Sequence, residues 1–353
     1  MMSMSQPVAG CQDVPAPAPW RGMARVVSTR RVAPGVAATT LATADVARRV
    51  EPLQFVQVQV AGGAAAAGAA VASTADPAPQ VSIPPAASVG RPFLGRPFSV
   101  VGVDSAAGQV TLVYRVIGPA TAVLARLTPG AEIPLLGPLG RPAPPWWTAG
   151  AGEVAPAAAP GERPDRGRPL PLLLVAPGWQ VLALRLLAAR ALAGGVPVSV
   201  LALENWEEAE SRGGGAPGGC PSAHATRGSQ RRTGGAAAPL AAVWDELGPP
   251  APPVRMARVG GGAGSLGELL RRQMGAAPAR VVAAGPAGFL RQVQAALAGT
   301  AAEGYLVVDA YMPCGYGACL ACAVPVRDAA GSVRYERACC EGRWFPAEEV
   351  VIP

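Results

Sequence analysis

The stretch Cys314-Gly-Tyr-Gly-Ala-Cys319-Leu-Ala-Cys322, followed after 16 residues by Cys339-Cys340, decides how the rest of the chain is interpreted. It holds five of the seven cysteines, in a C-x4-C-x2-C arrangement with a later fourth position. Three thiolates from one loop converge on a small object only if the backbone wraps closely around it. Gly315 and Gly317 permit such a loop, because glycine adopts positive φ angles and allows close approach. The stretch therefore predicts a compact site built from several thiolates.

This cysteine spacing is the one that plant-type [2Fe–2S] clusters use. We predict that Cys314, Cys319 and Cys322 bind the cluster with one of Cys339 and Cys340, since adjacent cysteines do not easily bind the same metal. Structural zinc is an alternative, although it usually takes two short C-x2–4-C pairs. Cysteines that are buried without binding a metal are the second alternative.

Composition excludes several classes of protein. The chain has 353 residues, enough for two or three domains, and it is 50% hydrophobic and 15% charged, which is not typical of a disordered protein. The formal charge is +7, and all 30 basic residues are arginine. No basic run is longer than two residues, so we interpret the arginines as scattered and solvated and predict no nucleic-acid partner.

The most apolar segment, 170–203, does not suit a membrane span. It contains Arg185, Arg190, several glycines and three prolines, which are costly in hydrocarbon, so a buried α/β core explains it better. The first residues lack a charged region followed by an apolar one, which predicts no secretory signal. We therefore expect a cytoplasmic protein whose cysteines bind metal rather than form disulfides.

The residues around the cysteines resemble a known family. Residues 309–324 and 337–350 are similar to the C-terminus of the electron transfer subunit of class 1B dihydroorotate dehydrogenase. That family ends in a Met-x-Cys-Gly-x-Gly-x-Cys-x-x-Cys loop and an Arg-x-Cys-x-x-Gly tail. The resemblance implies that Cys339 is the fourth ligand and that Cys340 is only its neighbour.

The resemblance extends toward the N-terminus. Residues 51–58 resemble the family's Pro-Gly-Gln-Phe-Val strand, with Leu53 where glycine is usual, and residues 135–140 resemble its Gly-Pro-Leu-Gly turn. The FAD-binding residues that it implies are Arg96, Pro97, Phe98, Ser99, Val113, Tyr114, Arg115, Ala120 and Thr121. In this set Arg96 would pair with a phosphate, Ser99 would reach the flavin edge and Tyr114 would stack on the isoalloxazine or adenine ring.

Short β-branched runs broken by glycine and proline favour an antiparallel barrel at 22–60 and 97–136, and strand–helix alternation favours a parallel sheet later in the chain. The expected fold class is multidomain α+β. The expected order is a disordered segment (1–20), an FAD-binding β-barrel of the ferredoxin-reductase type (21–142, insertion 61–90), a linker (143–169), an α/β domain resembling NAD-binding domains (170–300, flexible insertion 207–239) and a [2Fe–2S] domain (301–353).

Two departures from the family weaken the nucleotide sites. The family's Gly-x-Gly-Thr is Gly118-Pro-Ala-Thr121 here, so a Cβ is added and an N–H donor is lost, and we expect weaker FAD binding. The family's glycine-rich loop after the first parallel strand is Val175-Ala-Pro-Gly-Trp-Gln180 here. Trp179 stands where phosphates would approach the helix, so we expect NAD binding to be weakened or lost.

The resemblance implies an electron-transfer role in pyrimidine biosynthesis. An FMN-containing dihydroorotate dehydrogenase subunit would be the partner in a hetero-oligomer, and electrons would pass from its FMN through the [2Fe–2S] cluster to FAD, and on to NAD if that site persists. No residue of this chain need act as an acid or base on dihydroorotate. The alternatives are an electron transfer subunit of another reductase or hydrogenase complex, and a cluster-binding scaffold that has lost FAD and NAD.

Overall fold

The computed structural model describes residues 19–60, 94–148, 170–204, 237–259, 264–275, 278–328 and 330–352. The expectations for the disordered segment and for the insertions and linker therefore fall mainly outside the described residues.

An antiparallel sheet of seven strands forms the N-terminal part. Its elements are β1 (Trp20–Ala33), β2 (Val36–Ala42), α1 (Ala44–Arg49), β3 (Phe55–Val58), β4 (Arg96–Ser99), β5 (Gly102–Asp104), β6 (Gln109–Arg115), α2 (Pro119–Leu124) and β7 (Glu132–Leu139). The strand order is β4-β3-β7-β1-β2-β6-β5, so β4 and β5 lie at opposite edges. Only Val100 and Val101 join them, and two linking residues span at most about 11 Å. The sheet therefore curls until its edges approach, which confirms the expected barrel as a curled antiparallel sheet.

Alternation along β6 fixes which side chains fill this curled sheet. Val110, Leu112 and Tyr114 are buried in its core, whereas Val113 is half-buried and Arg115 is exposed. Successive side chains of a strand point to opposite faces, so Val113 and Arg115 lie on the outer face.

A second, mainly parallel sheet follows. Its elements are β8 (Leu172–Pro177), a 3-10 helix (Gly178–Leu184), α3 (Arg185–Ala193), β9 (Val198–Leu203), α4 (Ala237–Glu246), β10 (Val254–Ala257), α5 (Leu266–Met274), β11 (Arg280–Gly285), α6 (Ala287–Leu297) and β12 (Glu303–Val308). With β15 (Trp344–Pro346) from the C-terminal segment, the strand order is β10-β9-β8-β11-β12-β15, parallel except for the last pair. Strands β8 and β11 are buried along their whole length, as expected when both faces of a parallel sheet are covered. The order reverses between β8 and β11, which makes this the switch point of the sheet.

The C-terminal segment joins this sheet. Strands β13 (Ala323–Arg327) and β14 (Val333–Arg337) form a hairpin, and β15 (Trp344–Pro346) pairs with β12. Trp147, from the segment expected to be a linker, is fully buried with its ring 4.4 Å from Tyr305 and 5.0 Å from Trp344. The C-terminal segment is thus packed into the rest of the molecule. None of the described helices is both long and apolar enough to cross a membrane.

Candidate functional site

Two glycines shape the loop that carries the first three cysteines. Gly315 and Gly317 have φ angles of +77° and +85°, as the sequence predicted. A Cβ atom on Gly315 would lie 1.7 Å from Gln57 Oε1, and one on Gly317 would lie 2.6 Å from Cys340 Sγ. Both backbone angle and space therefore require glycine at these positions.

The sulfur atoms of the site come in two pairs. The Sγ atoms of Cys322 and Cys339 are 3.3 Å apart, and the side chain of Cys319 hydrogen-bonds to Cys314. Among the described residues, no three His, Cys, Asp or Glu side chains could hold a single metal ion. Two pairs of thiolates are instead what a two-iron cluster needs, because each iron takes two protein ligands.

The last two cysteines differ in their surroundings. Cys339 is buried beside Cys322, whereas Cys340 is exposed with its Sγ 3.7 Å from that of Cys339. Only Cys339 completes a pair with Cys322, so the geometry favours it over Cys340 as the fourth ligand.

The surroundings of Cys314 and Cys339 shift the pKa values of their thiols in opposite directions. Burial raises the pKa of the Cys314 thiol, but hydrogen bonds from the backbone of Cys319, Tyr316 and Ala318 outweigh it and bring that pKa down to about 6. Burial and the hydrogen bond with Cys322 raise the pKa of Cys339 well above its usual value. Cys314 thus forms a thiolate readily, whereas Cys339 would need a nearby cation to lose its proton.

The curled sheet holds both ends of the cysteine segment. Gln57 Nε2 donates hydrogen bonds to the carbonyl oxygens of Met312 and Pro313, at 3.1 and 2.8 Å. The amide of Gly140 donates to the carbonyl of Cys339 at 3.1 Å. Gln57 on β3 therefore holds the segment before the first cysteine. Gly140, at the end of β7, holds Cys339 after the hairpin.

The expected flavin residues of β4 divide between the two faces of the curled sheet. Phe98 packs in its core, whereas Ser99 Oγ accepts a hydrogen bond from Arg343 Nη2 at 2.9 Å. Arg96 is half-buried, and its Nη1 donates to the carbonyl of Leu94 at 2.9 Å. Pro97 lies opposite Gln57, and Ser99 opposite Phe55, in the pairing of β4 with β3.

Tyr114 faces the core of the curled sheet. Its ring is buried 5.3 Å from that of Phe98, and its hydroxyl lies 2.8 Å from Thr39 Oγ1. Burial raises the pKa of this hydroxyl well above its usual value. The alternation of β6 turns Tyr114 inward and leaves Val113 and Arg115 outside, so the stacking of Tyr114 on a flavin stays a prediction.

The remaining expected flavin residues lie at the start of α2. Thr121 Oγ1 accepts hydrogen bonds from the amides of Ile117 and Gly118, at 3.1 and 3.2 Å, so its hydroxyl closes the local turn. Ala120 is buried in the first turn. Ile117 is 50% exposed just before this turn, which leaves apolar surface beside it.

Side chains of this chain crowd Gly285 at the switch point of the parallel sheet. A Cβ atom on Gly285 would lie 2.5 Å from Phe289 Cδ1 and 3.0 Å from Pro177 Cδ. Trp179 packs against the core beside it. A dinucleotide binds at such a switch point through amide groups next to glycines. Proline offers no amide, so these residues suit NAD less well than the family's glycine-rich loop.

Two residues of the site were not identified from the sequence. Gln57 and Arg343 are each 5% exposed and lie where the curled sheet meets the cysteine segment. Their contacts join residues more than 240 positions apart, such as Arg343 with Ser99. The one available signal for Gln57 is a polar residue between valines in a short strand.

Comparison with known proteins bears on this site. Residues 309–351 match the iron–sulfur cluster binding domain of dihydroorotate dehydrogenase B. The electron transfer subunit of dihydroorotate dehydrogenase B (NAD(+)) from Desulforamulus reducens is 25% identical over 331 residues, which are 93% of this chain and 97% of that one. This chain is thus similar to that electron transfer subunit along most of its length.

Shorter alignments with such subunits have a higher sequence identity. The electron transfer subunit of Geobacillus thermodenitrificans is 33% identical over 115 residues, 33% of this chain and 35% of that one. The subunit of Fusobacterium nucleatum is 42% identical over 48 residues, 14% and 18% of the two chains. A chain from a solved NADH-dependent reduced ferredoxin-NADP oxidoreductase aligns with a TM-score of 0.57 at 16% identity, over 94% of this chain and 90% of that one. That likeness shows a shared fold.

Proposed function

We propose that this chain is an electron transfer subunit with a [2Fe–2S] cluster and FAD. Its partner would be an FMN-containing dihydroorotate dehydrogenase subunit, in a hetero-oligomer. The observation that carries the proposal is the arrangement of four sulfur atoms in two pairs, within the segment that matches the iron–sulfur binding domain.

The cluster ligands would be Cys314, Cys319, Cys322 and Cys339. The backbone amides that lower the pKa of Cys314 would also donate to its sulfur in the loaded protein. Gln57 and Gly140 would hold the ligands in place before iron arrives, since their hydrogen bonds involve only backbone oxygens of the segment.

The curled sheet offers FAD a set of residues that overlaps the expected one. On its outer face Ser99 would meet the flavin edge, and Val113, Arg115 and the exposed Ile117 would border the cofactor. Arg96, half-buried at the start of β4, would pair with the pyrophosphate. When bound, a flavin accepts electrons singly or in pairs, whereas a [2Fe–2S] cluster carries one at a time. Ser99 contacts Arg343 of the cysteine segment, so a flavin edge that meets Ser99 would lie close to the cluster.

Exposed apolar side chains surround the cluster segment and suit a protein partner. Nine large hydrophobic residues are exposed among the described ones, and five of them lie in this region: Tyr311, Tyr316, Leu320, Val333 and Tyr335. Cys319 is exposed among them. A ligand close to an apolar surface allows a partner to dock within electron-transfer distance of the cluster.

NAD does not enter the proposed route. Pro177, Phe289 and Trp179 crowd the switch point at which it would bind, and Pro177 offers no amide. The electrons held by the flavin would instead leave through a carrier that reaches the flavin directly. The domain boundaries and the cytoplasmic location expected from the sequence stay predictions.

Anaerobic purification tests the cofactors. We expect two irons and two acid-labile sulfides per chain. In the visible spectrum, flavin absorbance at about 450 nm should appear on top of the cluster bands. Cluster bands without flavin would favour the scaffold alternative. Material without iron and sulfide would overturn the proposal.

A reconstitution tests the partner. The chain would be mixed with an FMN-containing dihydroorotate dehydrogenase subunit encoded by the same organism, and dihydroorotate added without oxygen. We expect co-elution of the two chains and bleaching of the cluster bands. Cofactors that stay oxidised while the FMN is reduced would instead favour another reductase or hydrogenase complex.

A further inference from the structure

Arg343 is the least compensated charge at the junction between the curled sheet and the cysteine segment. Its side chain is 5% exposed, and its Nε has no hydrogen-bond partner among the described residues. The carboxylate that faces it, Asp309 Oδ1, lies 3.5 Å from Nη1, and the Asp309 side chain is 66% exposed. A guanidinium cannot shed its proton in a protein, so this buried charge needs an anion that the described contacts supply only weakly.

The same side chain contacts the expected flavin motif. Nη2 donates to Ser99 Oγ at 2.9 Å, and the guanidinium carbon lies 5.3 Å from the centre of the Phe55 ring. Phe55 is the residue that pairs with Ser99 across β3 and β4. Arg343 thus lies over the outer face of these strands, at the place where the flavin edge would sit.

The backbone of Arg343 belongs to the cluster domain. It follows Cys339 by four residues, and its carbonyl accepts a hydrogen bond from the amide of Val308 at 2.7 Å. Asp309, the next residue, opens the cysteine segment. Arg343 therefore connects the start of the cysteine segment with the region after Cys339, and its side chain adds the contact with Ser99.

We propose that Arg343 is a positioning residue that holds the flavin edge toward the cluster and stabilises the negative charge that the flavin gains on reduction. The inference rests on the proposed function. In each transfer the cluster is oxidised by one electron and the flavin is reduced by one, with protons for the fully reduced flavin coming from water. A buried guanidinium beside the ring favours the reduced form, because a fixed positive charge is poorly screened there.

Arg141 provides a matched control. It lies on the same junction, with its guanidinium 3.8 Å from the centre of the Trp344 ring, but it is exposed to solvent. Water screens an exposed charge, so its removal should change the flavin potential less.

The test is a reductive titration of the loaded full-length chain, with the flavin followed by absorbance and the cluster by electron paramagnetic resonance. We expect Arg343→Met to shift the flavin midpoint potential to more negative values and to slow reduction of the flavin by the cluster at least tenfold. Arg343→Lys, which keeps the charge, should stay near the wild type, and Arg141→Met should shift the potential less than Arg343→Met.

A separate variant keeps the inference testable if Arg343→Met does not fold. Asp309→Asn removes the carboxylate that faces Arg343, and it should shift the flavin potential to more positive values, by less than Arg343→Met shifts it because water screens the exposed carboxylate. A flavin-loaded wild type whose potential is unchanged in both Arg343→Met and Asp309→Asn would overturn the role of Arg343 alone. A wild type without flavin would overturn the proposed function itself.

Discussion

Cys322 and Cys339 lie 17 positions apart in the sequence, and their sulfur atoms are 3.3 Å apart in a buried pocket between the cysteine loop and the β13–β14 hairpin. The amide of Ala338 donates to the carbonyl of Cys322 at 3.1 Å, which locks the loop to the end of β14 beside this pair. A backbone hydrogen bond therefore helps to hold the two cysteines beside each other.

The adjacent cysteines should respond differently to substitution. Cys339→Ser removes the buried partner of Cys322, and we expect nearly complete loss of iron and of the cluster bands in the visible spectrum. Cys340→Ser changes an exposed thiol and should keep both. Iron analysis and spectra of anaerobically prepared variants check this, and equal loss in the two variants would contradict the assignment.

Gly315 should tolerate alanine worse than another glycine with the same backbone angle. Gly315→Ala at φ +77° places a Cβ against Gln57 Oε1, whereas Gly331→Ala at φ +84° meets no atom within 4 Å. The backbone angle alone should cost about 1–2 kcal/mol in each, and the contact should raise the cost at Gly315 above about 2 kcal/mol. Urea unfolding of both variants measures the difference, and equal midpoints would contradict it.

Leu53 should show an unusual order of substitutions. It is a buried leucine at φ +69°, a region that costs a residue with a Cβ about 1–2 kcal/mol. Leu53→Ala loses about 2–5 kcal/mol of packing and keeps the strain. Leu53→Gly loses the same packing but relieves the strain, which offsets the entropy cost of glycine, about 0.5–1 kcal/mol. We expect the glycine variant to unfold at no lower urea concentration than the alanine variant, and the reverse order would refute the strain.

NADH should not reduce the bound flavin. Pro177 and Phe289 crowd Gly285 at the switch point, and Pro177 offers no amide, so we expect the nicotinamide to find no firm site from which to donate hydride. Adding NADH without oxygen should leave the absorbance near 450 nm unchanged, and dithionite added afterwards should bleach it. Bleaching by NADH alone at micromolar concentration would show that the crevice opens.

The local parts of the site followed from the sequence. The spacing of Cys314, Cys319 and Cys322 and the glycines between them describe one loop, whose geometry depends on neighbouring residues. For Tyr114 two signals disagree. The family resemblance implies a flavin contact, whereas alternation with Val110 and Leu112 indicates the inner face of a strand, which is where the side chain lies.

Long-range contacts could not be predicted in this way. Gln57 and Arg343 belong to no local sequence pattern. Their contacts form only when β3 and β4 pack against the C-terminal segment. Nothing in a short window of sequence distinguishes such residues from solvated ones. The positive φ angle of Leu53 is equally hidden from sequence. The sequence shows leucine where the family has glycine, but it does not show the backbone angle.

The C-terminal segment is attached to both sheets, through β15 on β12 and through Cys339 on Gly140. An empty cluster site would leave buried thiols without iron at the point where these attachments meet, and local opening there would loosen both sheets from each other. Iron starvation should therefore expose the chain to cellular proteases, so that the abundance of the subunit follows the iron supply of the cell.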